Sequence, residues 1–238
     1  METVAIIPAR YAATRFPGKL MQLLGNKPVI LHTYDATVAT GLFDKVIVVT
    51  DSDIIYNEIT RHGGTAVYSK RQHESGSDRI AEVAESMDVD VIVNVQGDEP
   101  FIKKEPLEKL VHLFRDTSVK VASIMRKITS SEELHNTSCV KVVVNKNNDA
   151  LYFSRSPIPF AASTTVNPLY YLHIGVYGFR KDALLQFTQW PAGQLEQTEK
   201  LEQLRYLENG IPIRMSLVDF TSVAIDTPED LRKAAELL

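Results

Sequence analysis

Three short runs constrain the fold most: TVAIIPA at 3–9, KVIVVT at 45–50 and VDVIVNV at 89–95. Each is nearly continuous in apolar, mostly β-branched residues. A strand with one wet face alternates apolar and polar residues, so runs like these must be covered on both faces. Stretches with helical spacing separate them. PVILHTYDATVAT has Pro28 at its expected first turn, and SDIIYNEITRHG is closed by Gly63-Gly64. EPLEKLVHLFRD places Leu107, Leu110, Val111 and Phe114 on one face. TAVYS reads as a further strand and DRIAEVAESM as a further helix. The alternation predicts an α/β fold, a mostly parallel central sheet with helices on both faces. Such sheets bind ligands beyond the carboxyl ends of their strands.

The pattern changes after about residue 119. VKVASIMRKI, CVKVVVNKNNDALYFSR and LYYLHIGVYGFR read as strands, with NKNND as a hairpin turn. LEQTEKLEQLRYLENG reads as one helix stopped by Gly210. TPEDLRKAAELL opens another, with Thr227 as N-cap, Pro228 at the first helical position and Asp230 at the box position. No linker or internal repeat interrupts the chain. Residues 1–238 are therefore expected to form one domain, with a largely antiparallel insertion at about 120–180. That insertion would cover the active site or form a dimer contact.

Composition narrows the function. The net charge of −4 argues against general attraction to nucleic acid. A single cysteine, Cys139, excludes intramolecular disulfides and cysteine-rich zinc sites. No apolar run reaches the roughly 20 residues of a membrane span, and the N-terminus lacks signal-peptide features. A cytoplasmic location is the expectation.

Against this mildly acidic background, cations gather in one place. The first strand opens into PARYAATRFPGK, where Arg10, Arg15 and Lys19 surround Pro17-Gly18. Arginine forks and a lysine point charge beside exposed backbone N–H groups suit a polyphosphate; a solvated basic loop is the alternative. Neither the dinucleotide fingerprint nor the P-loop pattern is present. Another strand ends in VNVQGDEP, where Asp98, with Glu99 beside it, could hold a divalent metal or only order a turn. Asp226 in VAIDTPED is a second strand-end carboxylate, explicable by turn chemistry alone. SKRQHESGSDR offers Ser75, Gly76 and Ser77 for base or phosphate contacts. His73 within it reads more simply as a surface or packing residue.

Together these segments resemble the 3-deoxy-manno-octulosonate cytidylyltransferases, or CMP-Kdo synthetases. IIPARYAATRFPGK, HESGSDR, VNVQGDEP, ALYFSRSPIPF, HIGVYGF, KLEQLR and DTPEDL occur in family order along nearly the whole chain. The resemblance implies a homodimer that transfers CMP from CTP to the anomeric hydroxyl of Kdo, needs magnesium, and feeds lipopolysaccharide assembly. It implies nucleotide contacts from Pro8, Ala9, Arg10, Arg15, Lys19, His73, Ser75, Gly76, Ser77 and Arg79. Arg10, Arg15, Lys19 and Asp98 would be catalytic, and Asp98 and Asp226 would bind magnesium. Gln96, Arg155, His173, Tyr177, Glu202 and Gln203 would hold the sugar, with Arg155 near its carboxylate.

Some positions depart from the family. Ala13 replaces a usual serine, SGSDR replaces SGTER, Lys70 stands where arginine is common, and a proline after Lys19 is missing. These bear on fine specificity, so an 8-amino-Kdo analogue, a sialic acid or a non-catalytic nucleotide-binding role stay open. His173, Gly175 and Tyr177 share a strand face and could be ordinary core or dimer contacts. Glu202 and Gln203, between Leu201 and Leu204, could be a solvated helix face. The excess of aromatic residues in ALYFSRSPIPF and LYYLHIGVYGF suggests an interface. Asp98 and Asp226, distant in sequence, are expected to meet in space.

Overall fold

The computed structural model describes every residue except 13–15, 72, 74, 163, 164, 166, 167 and 222. The chain divides into two compact units, Met1–Leu107 with Ser222–Leu238, and Glu108–Thr221.

The first unit begins with β1 (Thr3–Ala9), followed by a 3-10 turn (Lys19–Met21) and the short pair β2 (Leu23–Leu24) and β3 (Lys27–Pro28). α1 (Val29–Ala39), β4 (Lys45–Thr50), α2 (Asp53–Arg61), β5 (Ala66–Tyr68), α3 (Gly76–Ala84) and β6 (Val91–Asn94) follow, and α4 (Lys104–His112) runs across the division after Leu107. β6, β1, β4 and β5 lie side by side in that order and all run parallel. The apolar runs explain this. Val4, Ile6, Ile7, Val48, Val49, Val91, Ile92 and Val93 are wholly buried, as strands covered on both faces must be.

Two element starts differ from expectation. Pro28 ends β3 in an extended conformation (φ −59°, ψ 149°), so it caps α1 rather than opening it. α3 begins two residues earlier than DRIAEV suggests, because the Ser75 side chain accepts from the Asp78 N–H and nucleates the turn. Gly76 and Ser77 are therefore helical residues, not loop.

The second unit contains a 3-10 turn (Leu113–Arg115), β7 (Val121–Lys127), α5 (Ser131–His135), β8 (Lys141–Val144), β9 (Ala150–Ser154) and β10 (Tyr171–Arg180). α6 (Lys181–Phe187), α7 (Gln194–Glu199), α8 (Leu204–Glu208) and β11 (Ile213–Leu217) complete it, and α9 (Pro228–Ala235) returns to the first unit. β10 pairs antiparallel with β7 and β8, β8 with β9, and β11 runs parallel to β7. The strand-rich segment expected at 120–180 falls inside this unit. The expected single helix from Leu195 to Gly210 is instead two, α7 and α8. Lys200 adopts a left-handed conformation (φ 55°) that a continuous helix cannot contain.

Part of the aromatic surplus is internal: Phe153 and Phe179 are buried, whereas Phe160 is exposed. Phe153 and His173 meet edge to face at 5.1 Å, His173 and Tyr177 at 5.2 Å, and Tyr177 stacks on Phe179 at 5.8 Å. Tyr206 continues the column between Phe179 and Phe187. These rings fill the core of the unit and so do not by themselves argue for an interface.

On the other face of β10, Gly178 leaves room for Phe114. A Cβ there would stand 2.5 Å from the buried ring of Phe114. Gly178→Ala should cost about 1–3 kcal/mol by overpacking, read as a lower urea midpoint at unchanged slope. A wild-type midpoint would show that the ring can move aside.

Candidate active site

The four parallel strands of the first unit point their carboxyl ends to one edge, and the polar segments after β1, β5 and β6 gather there. β1 closes with Ala9 buried and Arg10 exposed; Arg15 lies outside the described residues. The chain then folds back through a turn. The Lys19 N–H donates to Phe16 O at 3.1 Å and the Gly18 N–H to Tyr11 O at 3.2 Å. With Pro17 second and Gly18 third at φ 64°, this is a type II arrangement, which needs a residue free of Cβ strain at its third position. The turn delivers Lys19 to its partners.

Those partners are Asp98 and Asp226. The Lys19 ammonium donates to an oxygen of Asp98 and, at 2.9 Å, to Asp226 Oδ1. Two oxygens bonded to one nitrogen lie within about 6 Å of each other. The backbone explains how residues so distant in sequence meet: the Ile225 N–H donates to Asp98 O at 2.9 Å. Gly97 lets this loop settle on the sheet edge, since a Cβ there would sit 3.2 Å from Pro8 O and 3.3 Å from Leu20. Buried Thr33 of α1 holds the Gly97 carbonyl at 2.9 Å. Burial alone would pull the Lys19 ammonium to lower pKa, but the two carboxylates outweigh it and hold the group above its ordinary value. Lys19 is therefore a firm cation.

Neighbouring polar groups divide by how fully they are used. Asp230 serves the capping box of α9, accepting from the Thr227 N–H at 2.8 Å. Ser75 caps α3, and Gly76 packs against Pro8 at its first turn. His73 Nε2 lies 2.7 Å from Glu82, which also accepts from Ser69 Oγ and the Lys70 N–H. Burial pushes the Glu82 carboxyl up, yet those hydrogen bonds leave it below its usual value. His73 thus orders its loop. Arg79 is different: one arm reaches Asp51 at 2.7 Å, while its buried Nη1 has no hydrogen-bond partner among the described residues. Ser77 is buried in the same helical turn, and Gln96 bonds Asn94 at 3.2 Å.

In the second unit, His173, Tyr177 and Glu202 lie near one another, and Arg155 braces the turn before Glu202 and Gln203. Arg155 donates to the carbonyls of Glu199, Thr137 and Lys200 at 2.8, 3.0 and 3.3 Å. It thereby fixes the left-handed turn that leads to Glu202 and Gln203. Gln203 is buried, not part of a solvated face. Burial drives the Tyr177 phenol far above its ordinary pKa, with Glu202 adding to the effect. Gly175, between His173 and Tyr177 on β10, leaves open space where a Cβ would stand. His173 is buried and its Nε2 lies 3.0 Å from Ser123 Oγ. The one serine proton goes to Val176 O at 2.8 Å, across the irregularity in β10. This assigns the proton on Nε2 to His173 and leaves its Nδ1 as an acceptor.

One residue escaped sequence reasoning. Lys141 is wholly buried, and its ammonium donates to Cys139 O at 2.5 Å and Asn136 O at 3.0 Å. Burial lowers its pKa, and the nearby Arg155 charge lowers it further. The signal was a lysine inside the valine run CVKVVV.

The carboxyl edge of this parallel sheet thus carries a glycine turn, a fixed cation and a carboxylate pair, groups with the chemistry to meet a charged ligand. Residues 4–216 match the cytidylyltransferase family model, and the chain belongs to that family. It is 54% identical to the 3-deoxy-manno-octulosonate cytidylyltransferase of Flavobacterium johnsoniae, over 100% of this chain and 99% of that protein. It is 52% identical to the protein of the same name from Christiangramia forsetii, over 99% and 96%. A solved CMP:2-keto-3-deoxy-manno-octonic acid synthetase, complexed with CTP, superposes with a TM-score of 0.94 at 38% identity, covering 100% of this chain and 98% of that one. The 4-diphosphocytidyl-2C-methyl-D-erythritol synthase of Anaerococcus prevotii, at 17% identity and TM-score 0.66, shares the fold.

Burial lowers the His173 pKa from 6.5 to about 3. The unfolded chain therefore binds a proton below about pH 6.5 that the folded chain refuses until about pH 3. Stability should fall as pH drops through that window, by about 4 kcal/mol at its acid end. His173→Gln should flatten this dependence in urea titrations from pH 7 to 3. Parallel curves for the two proteins would show that the imidazole can be protonated in place.

Proposed function

We propose that this chain transfers the cytidylyl group of CTP to the anomeric hydroxyl of 3-deoxy-manno-octulosonate, giving CMP-Kdo and pyrophosphate for lipopolysaccharide synthesis. The observation that carries this reading is the lysine-bridged pair Asp98–Asp226, set in a chain 54% identical to a relative of that name along its full length. The sugar oxygen bonds to the α-phosphorus, the bond to the β-phosphate breaks, and the hydroxyl proton leaves.

The first unit would take the nucleotide. Arg10 and Lys19 supply positive charge for the phosphates, and a charge that grows on departing pyrophosphate is where such groups act most strongly. The Nη1 of Arg79, unpaired among the described residues, and the first turn of α3 are donors suited to the nucleotide. Two hard carboxylates fit magnesium, Asp98 in the loop after β6 and Asp226 just before α9, where the sequence suggests a strand end but the chain is irregular. Magnesium binds through one or two protein carboxylates and completes its shell with phosphates and water. Among the described residues no group of three or more His, Cys, Asp or Glu gathers as a metal cage. Magnesium held there would neutralise phosphate charge and polarise the attacking hydroxyl.

The second unit would take the sugar. His173 Nδ1 accepts from a hydroxyl, Tyr177 stays a neutral phenol, and Gly175 leaves room beside them. Arg155 retains cationic charge for a carboxylate while fixing the turn before Glu202. We place the enzyme in the cytoplasm, where CTP is available; among the described residues no helix is long and apolar enough to cross a membrane. We also infer a homodimer, supported by the exposure of Leu151, Phe160 and Leu169. Light scattering at micromolar concentration should give twice the chain mass; a monomer would contradict it.

Pyrophosphate release should require CTP, Kdo and magnesium together, with ATP and GTP poor substitutes. Asp98→Asn should lower turnover at least about a hundredfold while far-UV circular dichroism stays unchanged. Release that proceeds without Kdo, or an Asp98→Asn enzyme of normal rate, would remove the proposal.

A further inference from the structure

The Lys19 ammonium occupies the position between Asp98 and Asp226 that the reading above gives to a divalent cation. Each carboxylate already has an opposite charge in hydrogen-bond contact, and the lysine is mostly buried in doing so. We propose that Lys19 is an internal counter-cation that blocks the metal site until a triphosphate draws it away, so that nucleotide and divalent metal bind with positive coupling. This rests on the assignment of Asp98 and Asp226 as metal-binding residues.

The physical basis is competition for one pair of anions. Two carboxylates this close repel one another, and the protein supplies a cation between them. A divalent ion entering alone must break two charge-assisted hydrogen bonds and shed part of its hydration shell. An incoming triphosphate changes the balance, because it offers the ammonium a stronger anionic partner. Lys19 is able to make this exchange. Its backbone is fixed by the turn at Gly18, but its four-carbon stem swings the charge without moving that turn. Arginine would be less suited, since its planar fork would lock onto the carboxylates. By linkage, metal on the aspartates must raise nucleotide affinity by the same factor that nucleotide raises metal affinity.

The test is manganese binding to the nucleotide-free protein, followed by the paramagnetic resonance signal of free Mn²⁺. Lys19→Met should bind Mn²⁺ at least about tenfold more tightly than the wild type, within the usual range of coupling. Lys19→Gln provides the same comparison should the methionine variant fold poorly. Lys27→Gln removes an equal charge from the pair with Asp35 and should leave the affinity within about twofold, excluding a general charge effect. In thermal melts, Mn²⁺ should raise the Tm of Lys19→Met more than that of the wild type. Asp98→Asn should lose Mn²⁺ binding in either background. If Lys19→Met binds no more tightly than the wild type while Asp98→Asn still abolishes binding, the metal site stands and the blocking role of Lys19 is wrong. If CTP brings no Mn²⁺ to the wild type beyond what free CTP binds, and Lys19→Met binds none without it, the metal assignment fails and the proposal with it.

Discussion

One ammonium shared by two carboxylates is the constraint on which the first unit's chemistry depends. Asp98 follows β6, and Asp226 precedes α9 at the far end of the sequence. Bringing two anions together would cost several kcal/mol in a partly dry site if neither were compensated. Lys19 supplies the compensation, and three backbone features make its position reproducible: the Gly18 turn, the close seating of Gly97 on Pro8 and Leu20, and the hydrogen bond from Ile225 to Asp98. None of the three is a catalytic group. They convert an electrostatic liability into a fixed arrangement.

The second unit solves a similar problem with the opposite charge. Lys141 and Arg155 are brought near one another, and both spend hydrogen bonds on backbone carbonyls between residues 136 and 139. Arg155 also reaches the carbonyls of 199 and 200, while the Glu199 carboxylate accepts from Ser154 Oγ and the Arg155 N–H. The result is a left-handed turn at Lys200 held from both sides. A loop fixed in this way can present Glu202 to Tyr177 with little ordering left to do on binding, which is how preorganisation improves affinity.

The elements were legible where burial wrote itself into composition. β1, β4 and β6 could be read because a doubly covered strand is nearly continuous in apolar residues, and α9 because its cap has a fixed spacing. The break between α7 and α8 could not, since nothing local demands a left-handed lysine; the hydrogen bonds that hold it come from Arg155, far away in the chain. The aromatic surplus was likewise ambiguous. Rings at alternate positions of β10 suit an interface as well as a column, and only the partners Phe153, Phe187 and Tyr206 decide for the column.

The same distinction separates structural from chemical polar residues in the candidate site. Asp226 and Asp230 stand four apart, and HESGSDR packs a histidine, two serines and an arginine into seven positions. Spacing treats them alike, whereas hydrogen-bond saturation does not. Asp230, Ser75 and His73 are used up by a cap, a cap and a carboxylate within the fold. Arg79 keeps a buried donor unsatisfied among the described residues, and Asp98 is held by a lysine whose flexible stem can leave. A buried donor without a partner carries a penalty of about 1–3 kcal/mol, recovered only when something arrives to accept from it. Groups that remain unsatisfied or exchangeable in the folded chain are therefore the ones with free energy to give a ligand, and here they lie on the segments that match the cytidylyltransferase family.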